Sequence, residues 1–178
     1  NRSSDLRVAA WAGWVAIDPV DPAAVNLDGD DSRIIMDRAI PFIEQSVAGE
    51  RPFLAVIWFH SPHQPVVAGP ALYQKYRDLG EGDTRAHYYG CIEAMDEQVG
   101  RLLDELDVLG LTSNTIVVLW GDHGWKLGEH GMWCKHTEYE IDARVPLLIR
   151  APGMKETGKR SEALVELVDL YPTLCDLA

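Results

Sequence analysis

Cysteine is scarce in this sequence, with only Cys91, Cys134 and Cys175 in a chain of 178 residues. Their odd number and wide spacing argue against a disulfide framework and against a zinc ribbon. Cys91 lies on a helical pattern and Cys175 has apolar neighbours, so we predict that both are packed thiols. The redox compartment is left open.

Basic residues and long apolar runs are also in short supply. Lysine and arginine total 16 against 28 acidic residues, which gives a net charge of −12. No basic stripe could offset phosphate repulsion, so we predict no nucleic-acid partner. No apolar run is long enough to cross a bilayer and no signal peptide is present, so we expect no membrane contact. The first residue is not Met, and we expect the chain to be a piece of a longer protein.

Apolar residues are plentiful, at 47% of the chain, which is enough for a single domain with a sizeable core over residues 1–178. Residues 6–17 read as a strand or irregular segment and residues 18–31 as a loop, with Asp30, Asp31 or Ser32 as the cap of the next helix. Periodicity then predicts helices at 33–47, at 84–109 and after 168, and strands at 53–59, 116–120 and 145–149. Pro41 should kink or break the first helix, and Gly110 should cap the second. This alternation indicates an α/β protein with a mostly parallel sheet and helices outside.

Asp122 and His123 come directly after the predicted strand at 116–120, at the end where open α/β sheets place ligands. A carboxylate and an imidazole on adjacent residues can both reach one divalent cation. Four glycines between positions 121 and 131 predict an irregular loop, which is typical of functional segments. Lys135 could pair with a sulfate or phosphate oxygen if the loop folds back. The alternative is a turn cap, a surface histidine and an ordinary solvated lysine.

A second polar cluster follows the predicted strand at 53–59. Pro62 and Pro65 restrict the backbone around His63. An imidazolium there could bind an oxyanion or act as a general acid on a leaving oxygen. The alternative is two histidines satisfied by backbone carbonyls, and we expect His60 to support the turn.

The block from Asp122 to Lys135 resembles the Asp-His-Gly block of the sulfatases, in the alkaline-phosphatase-like superfamily. It is most similar to the iduronate-2-sulfatase-like and choline-sulfatase-like branch. Agreeing stretches lie at residues 37–43, 52–65, 144–153 and 168–174. The resemblance implies a three-layer α/β/α sandwich with a mostly parallel sheet, of which this chain would hold an incomplete C-terminal portion.

The same resemblance implies a role for four residues. Asp122 and His123 would be ligands of a divalent cation, usually Ca²⁺. His123 stands where many relatives have Asn, so Mg²⁺ or Mn²⁺ is also compatible. His63 and Lys135 would be catalytic and substrate-binding, holding the oxygens of a small-molecule or saccharide sulfate ester. A periplasmic, secreted or lysosomal location is implied, and the oligomeric state is not indicated.

One departure from the family concerns the nucleophile, a formylglycine made from Cys or Ser in a Cys/Ser-x-Pro-x-Arg motif. No cysteine or serine of this chain begins that motif, and the family's N-terminal aspartate pair is also missing. Both would lie upstream, so we expect no meaningful turnover from this chain alone. A phosphonate or phosphate ester hydrolase of the same superfamily remains an alternative, as does a non-catalytic fragment or pseudo-enzyme domain. The lack of a His-Glu-x-x-His helix disfavours a zinc hydrolase.

Overall fold

The computed structural model describes residues 31–155 and 158–178. The chain divides into two compact units between Leu109 and Gly110, and each is described by itself. The predictions for residues 6–30 lie outside the described residues. Within the described ranges, no helix is both long and apolar enough to cross a membrane.

The described part of the first unit contains three helices, α1 (Asp31–Ala48), α2 (Pro70–Asp78) and α3 (Asp83–Val108). Helix α1 appears where periodicity predicts it and ends just before Gly49. Of the two outcomes predicted at Pro41, a kink or a break, the break is wrong, because the helix continues through the proline. Ile40 and Ile43, on either side of the proline, are both buried, so the same core holds both halves of the helix.

Helix α3 confirms the clearest helical prediction, and it packs against both other helices. Gly110 follows it with φ +70°, the left-handed conformation expected of a glycine after a helix. Helix α2 was not predicted. Its sequence signal is Gly69 followed by Pro70 in the first turn, where a proline is pre-organised for a helix.

The predicted strand at residues 53–59 is wrong. The segment forms no strand in the structure, and its side chains alternate between half-buried and exposed positions. Phe53 meets Phe42 of α1 edge-on, with ring centroids 6.5 Å apart. On the other face Leu54 and Trp58 are 77% and 64% exposed. An apolar run indicates that both faces could be buried, but it does not specify the neighbours that a ladder requires.

Among its described residues, the second unit contains four short strands in two antiparallel pairs. Strand β1 (Val117–Trp120) pairs with β4 (Leu147–Arg150), and β2 (Lys126–Leu127) pairs with β3 (Trp133–Cys134). The parallel arrangement expected from alternating elements is therefore wrong for these strands. Trp120 is opposite Leu147, so the connecting segment leaves and returns at the same end of the sheet and needs no crossover. The ladder in β4 begins after Pro146, which has no N–H to donate.

Two helices complete this unit, the short α4 (Glu140–Ala143) and the predicted C-terminal helix α5 (Leu170–Leu177). The predicted turn at residues 151–153 is present, with Gly153 at φ +77°. Cys91 of the first unit is buried as predicted, but Cys175 on α5 is exposed, so the prediction of a packed thiol is wrong there. Apolar neighbours in sequence did not indicate which face of α5 the thiol occupies.

Candidate metal and anion site

The glycine-rich segment between β1 and α4 forms an irregular loop, as its composition predicts. Gly128 and Gly131 have φ values of +114° and +68°, which a glycine adopts without a steric penalty. Gly128 donates to the carbonyl of Met132 at 3.0 Å, so the loop is closed as a hairpin that includes β2 and β3. This hairpin brings the residues after β1 back towards Lys135.

His123 contacts Lys135, its partner in the predicted site. The Nδ1 atom of His123 lies 2.8 Å from the carbonyl oxygen of Gly124, and because a carbonyl only accepts, Nδ1 carries the proton. The Nε2 atom is therefore an acceptor, and it lies 2.8 Å from Nζ of Lys135. Oδ2 of Asp122 is 3.6 Å from the same Nε2 atom. Asp122, His123 and Lys135 thus come together, as the sequence predicts.

The chemistry of this donor set fits a divalent cation as part of a larger ligand set. Nδ1–H of His123 bonds a backbone carbonyl, which is the usual arrangement that orients Nε2 of a metal-binding histidine. The Asp122 side chain is 83% exposed and so can turn towards an ion. Within the described ranges, no group of three or more His, Cys, Asp or Glu residues could hold a metal. The role of Asp122 and His123 as ligands stays a prediction.

The backbone is strained on both sides of Lys135. Cys134 and His136 have φ values of +66° and +86°, in the left-handed region that side chains other than glycine rarely adopt. Such residues cost on the order of 1–3 kcal/mol each and persist only where the surroundings hold them. The backbone conformation around Lys135 sets the direction of its side chain. Other contacts must stabilise that conformation.

Those contacts centre on an ion pair that sequence reasoning missed. Lys126 is 1% exposed, and its ammonium group donates to Oδ2 of Asp142 on α4 and, at 3.2 Å, to the hydroxyl of Thr137. The backbone N–H of Thr137 also donates to Asp142 Oδ2, at 2.9 Å. The bonds from Lys126 and then from Thr137 hold the pKa of the Asp142 carboxyl below its usual range. No sequence motif connects these residues.

Gly124 fixes the spacing between this loop and α4. Its N–H donates to the carbonyl of Asp142 at 2.8 Å. A Cβ atom at this position would lie 1.8 Å from the carbonyl oxygen of Ile141, so any side chain would force the loop away. Glycine is required here by close backbone approach.

His63 belongs to the first unit, on a turn after the apolar segment. The N–H of His63 donates to the carbonyl of His60 at 2.8 Å, and the two rings are 5.2 Å apart. Asp31, at the start of α1, accepts from the N–H and the hydroxyl of Ser61, at 3.1 and 2.5 Å. The turn lines a cleft of about 400 Å³ that also includes Asp31. That His63 acts together with Lys135 stays a prediction.

A carboxylate, an imidazole and a lysine at the end of a strand define a candidate site for a cation and an anion, and the comparisons agree with this class. The family model for Sulfatase matches residues 9–178. The chain belongs to the sulfatase family, whose members hydrolyse sulfate esters. It is 27% identical to iduronate 2-sulfatase of Mus musculus over 230 residues, covering 90% of this chain and 42% of that protein.

Two solved structures that are similar to this chain share its fold. One is a Bacteroides fragilis protein provisionally assigned as a sulfatase, with a TM-score of 0.74 and 27% identity over 82% of this chain and 36% of that one. The other is a phosphonate monoester hydrolase from Silicibacter pomeroyi, with a TM-score of 0.67 and 25% identity over 83% of this chain and 38% of that one. These matches confirm the alkaline-phosphatase-like α/β fold. The chain spans less than half the length of each relative.

Proposed function

We propose that the protein containing this chain hydrolyses a sulfate monoester. The observation that carries the proposal is the contact of His123 with Lys135 beside Asp122, at the end of β1, in a chain of the sulfatase family. The loop offers a cation-binding pair and an ammonium group within one short segment. A sulfate ester requires both kinds of group, because its oxygens carry negative charge in the ground state and in the transition state.

In this proposal the four predicted residues have different roles. Asp122 and His123 hold a divalent cation, for which calcium is the first choice and magnesium or manganese the alternatives. A bound cation would offset charge on the sulfuryl oxygens. Lys135 donates to a sulfate oxygen as a compact charge, and His63 donates to a sulfate oxygen or to the leaving oxygen. The nucleophile, a formylglycine by family resemblance, would come from residues outside this sequence.

The substrate class in this proposal is a sulfated saccharide or a small sulfate ester. The mouse relative is named for action on iduronate, a sugar acid, and this supports the saccharide. We expect this chain by itself to be inactive, because Asp122, His123, Lys135 and His63 include no nucleophile. A periplasmic, secreted or lysosomal location remains part of the proposal.

A second candidate function is phosphonate or phosphate ester hydrolysis. The structural similarity to the Silicibacter pomeroyi phosphonate monoester hydrolase favours it, because the same fold holds a different anionic ester there. A cation, a lysine and a histidine would serve either substrate. The two functions therefore differ in which ester the complete protein turns over.

The test is a kinetic comparison in the full-length parent, matured so that any formylglycine can form. We expect turnover of sulfate esters, and we expect Lys135→Ala and His63→Ala each to lower kcat/KM by about a hundredfold or more, as for the loss of a charge-stabilising donor. The exposed Lys155 provides the matched control, and Lys155→Ala should leave kcat/KM unchanged. Turnover of phosphate or phosphonate esters alone would replace the main proposal by the second. Unchanged kinetics in Lys135→Ala or His63→Ala would remove that residue from the site.

A further inference from the structure

The buried pair of Lys126 and Asp142 has no part in the proposed chemistry, and its presence calls for a physical reason. The side chains are 1% and 4% exposed. Burying two charges costs several kcal/mol per ion before their attraction is counted, so such a pair is weak grounds for stability in itself. Moreover, the Oδ1 atom of Asp142 is buried without a hydrogen-bond partner in the described part of the chain. A well-packed pair of apolar residues could stabilise this core as well or better.

The hydrogen bonds of this pair reach the loop on both sides of the candidate site. On the incoming side, the main-chain carbonyl of Asp142, and not its carboxylate, accepts from the N–H of Gly124, which is the residue after His123. On the outgoing side, the Asp142 carboxylate accepts from the N–H of Thr137, two residues after Lys135. Lys126 itself lies in β2, where its partner in the ladder is Cys134, the residue before Lys135. The side chains of the ion pair therefore hold Thr137 on the Lys135 side of the loop, while the main chains of Asp142 and Lys126 hold Gly124 and Cys134.

We propose that the Lys126–Asp142 pair is a positioning device, which holds the loop so that His123 and Lys135 face each other before any ligand binds. The inference rests on the proposed function for its biological meaning, but its geometry concerns this chain alone. The two left-handed residues that flank Lys135 need such a restraint. Neither Lys126 nor Asp142 touches the substrate in this scheme, and their side chains act on the loop through Thr137.

A purely stabilising role predicts a different response to replacement by apolar residues. Apolar residues of similar volume often restore or raise the stability that a buried ion pair provides. They cannot restore the hydrogen bonds to Thr137. The double variant Lys126→Met/Asp142→Leu therefore separates the two roles. It restores apolar packing but not the side-chain hydrogen bonds that hold the loop.

The test measures the His123 ring in this chain by ¹⁵N NMR. The nitrogen shifts report which ring atom carries the proton. In the unaltered chain we expect the proton on Nδ1, with Nε2 accepting from Lys135. In the double variant we expect the urea midpoint of unfolding to stay close to that of the unaltered chain. We also expect the Nδ1–H form of His123 to be no longer the dominant form. Lys126→Arg keeps the charge and the donors, and it should retain that form.

Two further variants keep the inference open to refutation. Lys75→Met removes an exposed lysine paired with Glu93 in the first unit and should leave the His123 signals unchanged. Thr137→Val removes one hydroxyl and leaves the ion pair buried, so it tests the restraint even if the double variant does not fold. We expect it to populate the Nε2–H form measurably. A folded double variant, or Thr137→Val, that keeps the original His123 signals would overturn the proposal.

The consequence for activity is measured in the full-length parent. We expect the double variant to lower kcat/KM by about 10- to 100-fold, the range found when groups that orient metal ligands are removed. Lys126→Arg should recover most of the loss. If the parent hydrolyses no sulfate ester, the proposed function fails, and the NMR measurement still decides the positioning role.

Discussion

Asp31 shows how a single residue can have a role other than the one its sequence position suggests. Its place before a helical pattern indicates a cap. In the structure its two carboxylate oxygens accept from the hydroxyl and the N–H of Ser61, thirty positions further along the chain. The start of α1 is thus attached to the turn that carries His63. A cap is a local expectation, whereas this contact depends on how the segment after α1 returns.

A double-mutant cycle measures that attachment. We expect Asp31→Ala and Ser61→Ala each to lower the free energy of unfolding, with a coupling energy of about 1 kcal/mol, because the bonds involve a charged acceptor and are partly buried. Urea denaturation of the four proteins gives the coupling. The exposed pair of Gln74 and Asp78, one helical turn apart, is the control and should couple by less than about 0.5 kcal/mol. Equal coupling in both cycles would show that Asp31 does not anchor the turn.

At the scale of elements, helix α3 contains two glycines in opposite environments. A Cβ atom on Gly90 would lie 2.6 Å from Cβ of Ala68, while one on Gly100 would meet nothing within 4 Å. The Ala68 methyl is attached directly to the backbone, so it cannot move aside without moving the segment before α2. Of these two glycines, only Gly90 is needed for the tight packing of α2 on α3.

The two glycines should respond to alanine with opposite signs. We expect Gly100→Ala to raise the free energy of unfolding by about 0.5–1 kcal/mol, because alanine is the better helix former. Gly90→Ala should lower it by about 1–3 kcal/mol, because the added methyl overpacks the helix pair. Both values come from urea denaturation followed by circular dichroism. A gain in stability for Gly90→Ala would contradict the close approach of Ala68.

The elements also show what local sequence can and cannot predict. Helices α1 and α3 were predictable because each has many turns of apolar periodicity. Helix α2 was not, since nine residues give too few repeats and none of them is buried. The segment at 53–59 was assigned as a strand from composition, but a strand is defined by its neighbours. In the same way, the antiparallel pairing of β1 with β4 depends on a return path that periodicity does not encode.

At the scale of the whole molecule, two carboxyl groups of this acidic chain have shifted pKa values that make stability depend on pH. The bond from Lys75 lowers the pKa of Glu93, and the bond from Lys126 lowers that of Asp142. A depressed pKa means that the folded chain binds protons less readily than the unfolded chain. The resulting stabilisation is complete above the unfolded value, near 4, and is lost as the pH falls through the folded value.

We therefore expect the free energy of unfolding to fall on acidification below about pH 4, although protonation also relieves the repulsion of a chain with net charge −12. Urea denaturation between about pH 7 and pH 2.5 checks this. Glu93→Gln and Asp142→Asn should each be less stable at neutral pH and should show a shallower dependence on pH. A stability that rises as the pH falls would mean that relief of repulsion is the larger effect.

The candidate site was predictable where its residues are close in sequence. Asp122, His123 and Lys135 lie in one glycine-rich block, and the structure brings them into contact. Lys126 and Asp142 are sixteen positions apart, and Lys126 lies between Trp125 and Leu127, where it resembles an ordinary strand residue. Their pairing is a product of the folded loop. A local block thus predicts which groups come together, and the ion pair behind them is seen only in the structure.

The alternation of exposed apolar side chains at residues 53–59 bears on how the chain behaves in solution. Leu54, Val56 and Trp58 are exposed, and within these seven residues there is no charge and no proline. Extended apolar segments of this length are templates for edge-to-edge association and aggregation. Arg51 and Pro52 stand at one end of the segment and can act as gatekeepers there, but the other end leads only to His60. We therefore expect the chain alone to associate increasingly as its concentration rises.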